Sequence, residues 1–175
     1  MTTHLAGLAC EIADEVLFPA ALDVDAAGEI PEGHWRALAD AGLYGIAAPP
    51  ELGGAGLESA ELTEILEIMA GGCLATAFIW VQHHGVLAAL SASPNTALRD
   101  DLVPALVAGR TKRGVAFAGP VPVPPRMRAE RVDGGWRLSG HAPFFSRVTR
   151  ADFMATQNFG SRLNGTLPIG AGRRC

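Results

Sequence analysis

Apolar residues in the first part of the chain recur at helical spacing. Leu5, Leu8, Ala9, Ile12 and Val16 fall on one side of a helical wheel and Glu11, Asp14 and Glu15 on the other, which predicts an amphipathic helix over residues 4–18 that stops at Pro19. Asp23 and Asp25 follow as short acids between helices and read as turn formers. Pro31 in a first-turn position, followed by Glu32, opens a second helix carrying Trp35, Leu38 and Ala39, and Gly42 closes it as a left-handed cap. Tyr44 to Pro50 must then be extended or turned. A third helix is predicted from Ser59, as its N-cap, through Leu62, Ile65, Leu66 and Met69 to Gly71 and Gly72, with Glu61, Glu64 and Glu67 on the outer face.

The fourth helix, Leu74 to Ser91, is apolar nearly all round, which predicts a central helix buried on most sides by its neighbours. After Pro94 and Asn95 a fifth helical pattern begins. Pro104 interrupts it, giving two short pieces, Leu98 to Leu102 and Pro104 to Ala108. Beyond Gly109 the period changes from 3.6 to 2: Gly114 to Gly119 is a short apolar run, Val121 to Pro125 is proline-rich, and Arg126 to Val132 alternates. Asp133-Gly134-Gly135 is a hairpin signal, with Trp136 to Gly140 as the returning strand. Phe144 to Val148 and Ala151 to Ala155 are predicted as two more strands. Residues 157–175 have neither period. The fold class is mainly α with a small β part: a helical domain over residues 1–111, a partial antiparallel β domain over 112–156, and an irregular tail. Four short strands without a partner layer would expose a face and two edges, so the β part reads as the opening of a domain.

Composition narrows the class. At 175 residues and 49% hydrophobic content the chain is long enough for one ordinary domain core, or for one domain plus part of another. No apolar run reaches the roughly 20 residues that span a bilayer, and the N-terminus lacks a basic, then apolar, leader, so the expected location is cytoplasmic and no membrane partner is expected. Cys10, Cys73 and Cys175 are too few and too far apart for a disulfide framework or a CxxC metal site; they read as two core thiols and a terminal one. Residues 1–70 hold thirteen acids and one arginine, whereas residues 110–175 hold twelve bases and three acids. These opposite halves either attract one another or a partner chain, or the basic half faces the phosphates of a cofactor or thioester carrier. Nucleic acid is not an expected partner, because no binding motif or aromatic interleaving accompanies the arginines.

Three segments, LFPAALDVDAAGEIPEGHWRALADAGLYGIAAPPELGGAGL, LVPALVAGRTKRGVAFAGP and ERVDGGWRLSGHAPFFS, resemble in order and spacing the N-terminal half of acyl-CoA dehydrogenases over roughly residues 15–155. The resemblance implies an N-terminal helical domain, a middle β domain and a C-terminal helical bundle. It implies FAD between the last two, an acyl-CoA or other acyl thioester substrate dehydrogenated at its α,β bond in fatty acid metabolism, and a homo-oligomer. It places flavin contacts at Phe117, Ala118 and Gly119, and at Phe144 and Ser146, which keep an aromatic surface and a hydroxyl donor. The family's strand usually runs into Thr-Glu-Pro and an Ala-Gly-Ser-Asp loop. Here Ala118-Gly119-Pro120 continues as Val-Pro-Val-Pro-Pro, and only the proline matches. The family's carboxylate base belongs to the C-terminal bundle, so no catalytic residue carries over, and the chain by itself is expected to be a truncated or frame-shifted product, inactive alone, with family sequence ending near Thr156. Such a chain would act as a helical module binding partner subunits.

His83 and His84 on the fourth helix are the remaining chemistry. Some flavin monooxygenases of this fold place a histidine from this helix near the ring, and the resemblance therefore makes His84 a catalytic candidate whose imidazole donates to an oxygen held at the flavin; the alternative is a pair of histidines at a helix surface or a domain seam. The Gly53-Gly54-Ala55-Gly56 loop has no preceding strand and no following Lys-Ser/Thr, so it shapes a turn rather than cradling phosphate. Arg126, Arg128 and Arg131 are either the solvated face of a strand or phosphate contacts. No metal site is visible in the sequence.

Overall fold

The computed structural model describes residues 2–115, 122–133 and 135–141. Six α-helices come first: α1 (Thr2–Ile12), α2 (Phe18–Ala27), α3 (Glu32–Asp40), α4 (Ser59–Gly72), α5 (Leu74–Ser91) and α6 (Thr96–Val107). A two-stranded antiparallel sheet follows, β1 (Met127–Val132) with β2 (Gly135–Gly140). This is the helical domain and partial β domain that the acyl-CoA dehydrogenase resemblance implies. The predicted strands Phe144 to Val148 and Ala151 to Ala155, and the tail, lie outside the described residues.

The first helix does not stop at Pro19. A π-helical turn, Ala13–Leu17, joins α1 to α2, and the Phe18 amide donates to the Ala13 carbonyl. Pro19 therefore enters α2 in its first turn, where its missing N–H costs nothing and the widened turn makes room for its ring. Asp23 and Asp25 are consequently exposed residues of α2 rather than turn formers, and the turn is made by Gly28 at φ 64°.

Gly42 caps α3 as its position predicts. At φ 71° it donates to Ala39, and Leu43 donates to Leu38, the paired bonds of a Schellman end. The chain then turns through a short 3-10 segment, Pro50–Leu52, into the glycine loop. Gly53 and Gly56 take left-handed φ values of 84° and 62°, while a Cβ on Gly54 would collide with the Ala48 carbonyl. The loop is folded against its own backbone. At α4 the cap is Glu58, not Ser59: its side chain accepts from the third helical amide while its own amide donates to Glu61 Oε2 at 2.8 Å. The Ser59 carbonyl instead accepts from Thr63 Oγ1.

α6 is continuous through Pro104, where the sequence predicts a break. Pro104 and Asp100, whose carbonyl it leaves without a helical donor, are both exposed, so water can solvate that carbonyl. Asn95 caps the helix by accepting from the Leu98 amide at 3.1 Å, and burial of Leu102, Val103 and Leu106 holds it down. Tertiary packing outweighs the proline penalty of about 3 kcal/mol.

The helices pack in series, α1 on α4, α4 on α5 and α5 on α6. Two apolar clusters result. The larger contains Leu17, Trp35, Leu38, Tyr44, Ile65, Met69, Ala77 and Trp80; the smaller contains Ala48, Val86, Leu87, Leu90, Leu102, Val103 and Leu106. α5 contributes to both. It is not buried on most sides, however: Leu74 is 69% and Phe78 62% exposed, and Gly85, Ala88 and Ala89 continue that open face. Its 18 residues include no Asp, Glu, Lys or Arg, which makes it long and apolar enough to cross a membrane by composition alone. Its other face is the packed core helix between α4 and α6. Cys73, between α4 and α5, is buried as expected, but Cys10 is exposed on α1 and is not a core thiol.

In the hairpin, Arg128 lies opposite Ser139 and Glu130 opposite Arg137, while Val132 pairs with Gly135 across the turn. Arg126, Arg128 and Arg131 are all exposed. They fit the solvated reading.

Candidate functional site

The helical period places His83 and His84 on the inward side of α5, between Trp80 and Val86. His83 is 1% and His84 8% exposed. Tyr44, delivered by the turn after α3, meets the His83 ring edge to face, with centroids 4.9 Å apart. One helical turn before His84, Trp80 meets it in the same way at 4.5 Å, as the i, i+4 relationship dictates. The two imidazoles are 5.6 Å apart and nearly perpendicular. Arg113, in the segment after α6, is buried beside them and raises the local positive potential at His83. Four rings thus run in a chain, Tyr44, His83, His84, Trp80.

Their polar atoms are unusual. The Tyr44 hydroxyl, the Trp80 indole nitrogen and both ring nitrogens of His84 are buried without a hydrogen-bond partner among the described residues, and the His83 nitrogens make no well-formed bond, although backbone at Leu106 and Tyr44 approaches that ring. A buried polar group left in this condition costs about 1–3 kcal/mol, so an arrangement of this kind points to a role other than stability. Burial is the main reason that the His83 imidazole is pushed down to about 4; Arg113 adds to the effect, and backbone groups of Leu106 and Tyr44 offset part of it. Burial, then the neighbouring His83, pushes His84 down to about 3. Burial, then the charge of Glu32, pushes the Tyr44 phenol up. At neutral pH all three are therefore neutral, and each imidazole has one nitrogen able to donate and one able to accept.

A separate polar relay lies at the start of α5. His34 Nδ1 is 3.1 Å from Thr76 Oγ1, which itself donates to Cys73 Sγ at 3.4 Å. His34, Thr76 and Cys73 are all buried, and burial pushes the His34 imidazole down.

Of the residues that the sequence singles out, His84 falls in the ring chain. Phe117, Ala118, Gly119, Phe144 and Ser146 lie outside the described residues. Tyr44, Trp80 and Arg113 carry no motif and are missed by pattern reading; the one available signal is that Tyr44 is the only tyrosine in the chain. The orphaned ring nitrogens of His84 are the described groups that fit the polar edge of a heterocycle such as flavin. The glycine loop offers no phosphate cradle, since its backbone is closed on Ala48. Among the described residues no group of three metal-binding side chains occurs.

Comparisons with known proteins give the kinship of the chain. Residues 3–110 match the family described as acyl-CoA dehydrogenase, N-terminal domain. The oxygenase component of the FADH(2)-dependent resorcinol hydroxylase of Rhizobium sp. (strain MTP-10005) is 30% identical over 155 residues, covering 86% of this chain and 34% of that protein. Among solved structures, the FAD complex of PigA matches with a TM-score of 0.76 at 20% identity, covering 90% of this chain and 44% of the other. The electron transferring flavoprotein of Acidaminococcus fermentans matches with a TM-score of 0.77 at 18% identity, covering 88% and 42%. The chain thus spans about a third of the length of its curated relative. With the family match covering more than half of its residues, the chain belongs to the acyl-CoA dehydrogenase family through that family's N-terminal helical domain.

Proposed function

We propose that the chain supplies the helical part of a flavin-dependent monooxygenase built on the acyl-CoA dehydrogenase fold. The observation that carries this reading is the buried, neutral His83–His84 pair with the unpartnered ring nitrogens of His84. The relationship to a resorcinol hydroxylase oxygenase component supports it. A bound reduced FAD would supply two electrons for oxygen insertion, one oxygen atom entering the substrate and the other leaving as water. The chain's part is to hold His84 neutral in a dry, aromatic setting, so that one nitrogen donates a proton to the oxygen side of the reaction while the other accepts. Phe117, Ala118, Gly119, Phe144 and Ser146 are the proposed flavin contacts. The substrate class is an electron-rich aromatic.

The second reading is FAD-dependent α,β-dehydrogenation of an acyl-CoA or other acyl thioester, which the family match favours. That chemistry needs a carboxylate within hydrogen-bond reach of the α-proton. The resemblance puts that base in the C-terminal bundle, so the helical part does not decide between the two readings. We place the protein in the cytoplasm, as a homo-oligomer.

The test supplies a complete homologue containing this helical part with FADH2 and a phenol under air, and separately with FAD and an acyl thioester without oxygen. The expected outcome is transfer of an oxygen atom from O2 to the phenol, lost in His84→Ala. Bleaching of the flavin by the thioester selects dehydrogenation instead. A complete homologue that binds no flavin in either experiment rejects both and leaves a helical module for partner subunits.

A further inference from the structure

His83 and His84 stand where the two apolar clusters meet. Ala77 and Trp80, just before them on α5, belong to the larger cluster, and Val86 and Leu87, just after, to the smaller. Tyr44 closes on His83 from the turn after α3, and backbone at Leu106 of α6 approaches the same ring. The pair is therefore one joint between the α1 to α4 core and α6; Lys112, after α6, makes another by pairing with Glu32 at 3.5 Å and lying over the Trp35 ring.

A neutral imidazole fits the histidine joint and an imidazolium does not. The rings meet edge to face, so neither can bond the other's nitrogen, and at His83 the backbone groups of Leu106 and Tyr44 offset only part of the burial cost of a second proton. Among the described residues, the titratable and charged groups that face the pair are the two rings themselves, the Tyr44 phenol and the buried guanidinium of Arg113; Glu32 reaches Tyr44 rather than the imidazoles. Among the described residues, a proton added here finds the Arg113 guanidinium nearby and no buried carboxylate.

We propose that the His83–His84 pair is an acid-sensitive latch, whose protonation releases α6 and the segment after it from α5 while the α1–α4 core stays folded. α6 is the side that yields. Its cluster has seven buried residues against fourteen in the other, and Pro104 weakens its helix. The latch works whatever reaction the family fold supports here, since it needs only the joint.

The direction follows from linkage. The imidazoles are pushed from 6.5 down to about 4 and about 3 in the closed form, so released rings bind protons that closed rings refuse. The closing contribution is complete above about 6.5 and is lost as pH falls toward those lower values. Each ring multiplies the opening constant about tenfold per pH unit through that window.

Hydrogen exchange by mass spectrometry on the 175-residue chain tests the latch, with α1 and α4 as internal references at each pH. The expected result is that α6 and the second half of α5 lose protection between pH 6.5 and 4 relative to α1 and α4, and that His83→Phe/His84→Phe, which keeps aromatic rings without titratable nitrogens, abolishes the pH dependence. If the double variant fails to fold, the single variants His83→Gln and His84→Gln are each expected to lower the steepness about tenfold per pH unit. The latch is overturned if α6 protection does not respond to pH, if α1 and α4 open together with it, or if the non-titrating variants keep the wild-type profile.

Discussion

His34 Nδ1 lies 3.1 Å from Thr76 Oγ1, a bond between side chains 42 positions apart that ties the start of α3 to the first turn of α5. The Thr76 hydrogen is directed at Cys73 Sγ, so Nδ1 of His34 carries the proton and donates. The bond thereby sets the tautomer as well as the helix position. Thr76→Val keeps the shape and removes the acceptor. It is expected to lower the unfolding free energy by about 1–3 kcal/mol, the cost of leaving a buried donor unmade, as measured by the urea midpoint. Thr76→Ser should retain most of it.

Tyr44→Phe should behave in the opposite way. The Tyr44 hydroxyl is buried without a partner, so its removal discards a desolvated group and keeps the ring contact with His83. The expected change is between neutral and a gain of about 1 kcal/mol. A loss larger than 1 kcal/mol in denaturant unfolding would mean that the hydroxyl is bonded in solution.

Gly54→Ala addresses the loop. Its Cβ would run into the Ala48 carbonyl and also crowd the Gly45 carbonyl, both backbone atoms that have no flexible end to move aside. A loss of about 3 kcal/mol is expected, with the glycine loop and the turn carrying Tyr44 displaced together. A variant within 0.5 kcal/mol of the parent, about the size of an ordinary surface change, would contradict the close approach.

Pro104→Ala restores an amide donor to the exposed Asp100 carbonyl in a helix that already runs straight through the site. Up to about 3 kcal/mol of helix penalty is relieved, reduced by the greater freedom of the unfolded chain. A net gain of about 1 kcal/mol in urea unfolding is expected. A net loss would show that the proline ring packs usefully.

Whole-chain stability should also depend on pH in a set direction. Native His83 and His84 refuse protons down to about 4 and about 3, while the unfolded chain accepts them near 6.5. Unfolding therefore takes up protons, and the urea midpoint should fall as pH is lowered from 6.5 toward 4. The limiting slope is about 1.4 kcal/mol per pH unit per imidazole. A midpoint that rises on acidification would place the rings in water.

The helices of this chain are legible because their apolar spacing is regular and two of their ends are marked by Gly42 and by Gly71-Gly72, whereas the end at Gly28 is missed. What pattern reading misses are places where a local rule is overridden. Pro19 does not end a helix because a π turn precedes it, and Pro104 does not break one because its neighbour's carbonyl faces water. Neither fact is written in the local sequence. The open face of α5 is also invisible to periodicity, since Leu74 and Phe78 look the same as Trp80 until neighbours are placed. For the site, His84 stands out by residue type, whereas Tyr44 and Arg113 join it only through a turn and a segment distant in the chain.

The opposed ends of α5 give the domain a division of labour along one rod. Ala77 and Trp80 are seated in one hydrophobic interior, and Val86, Leu87 and Leu90 in another. A probe attached near either end would therefore report on a different body of packing, and damage confined to one interior could leave the other intact. The two histidines between them act as a weld, and Lys112, paired with Glu32 and seated over Trp35, is a second one beyond α6.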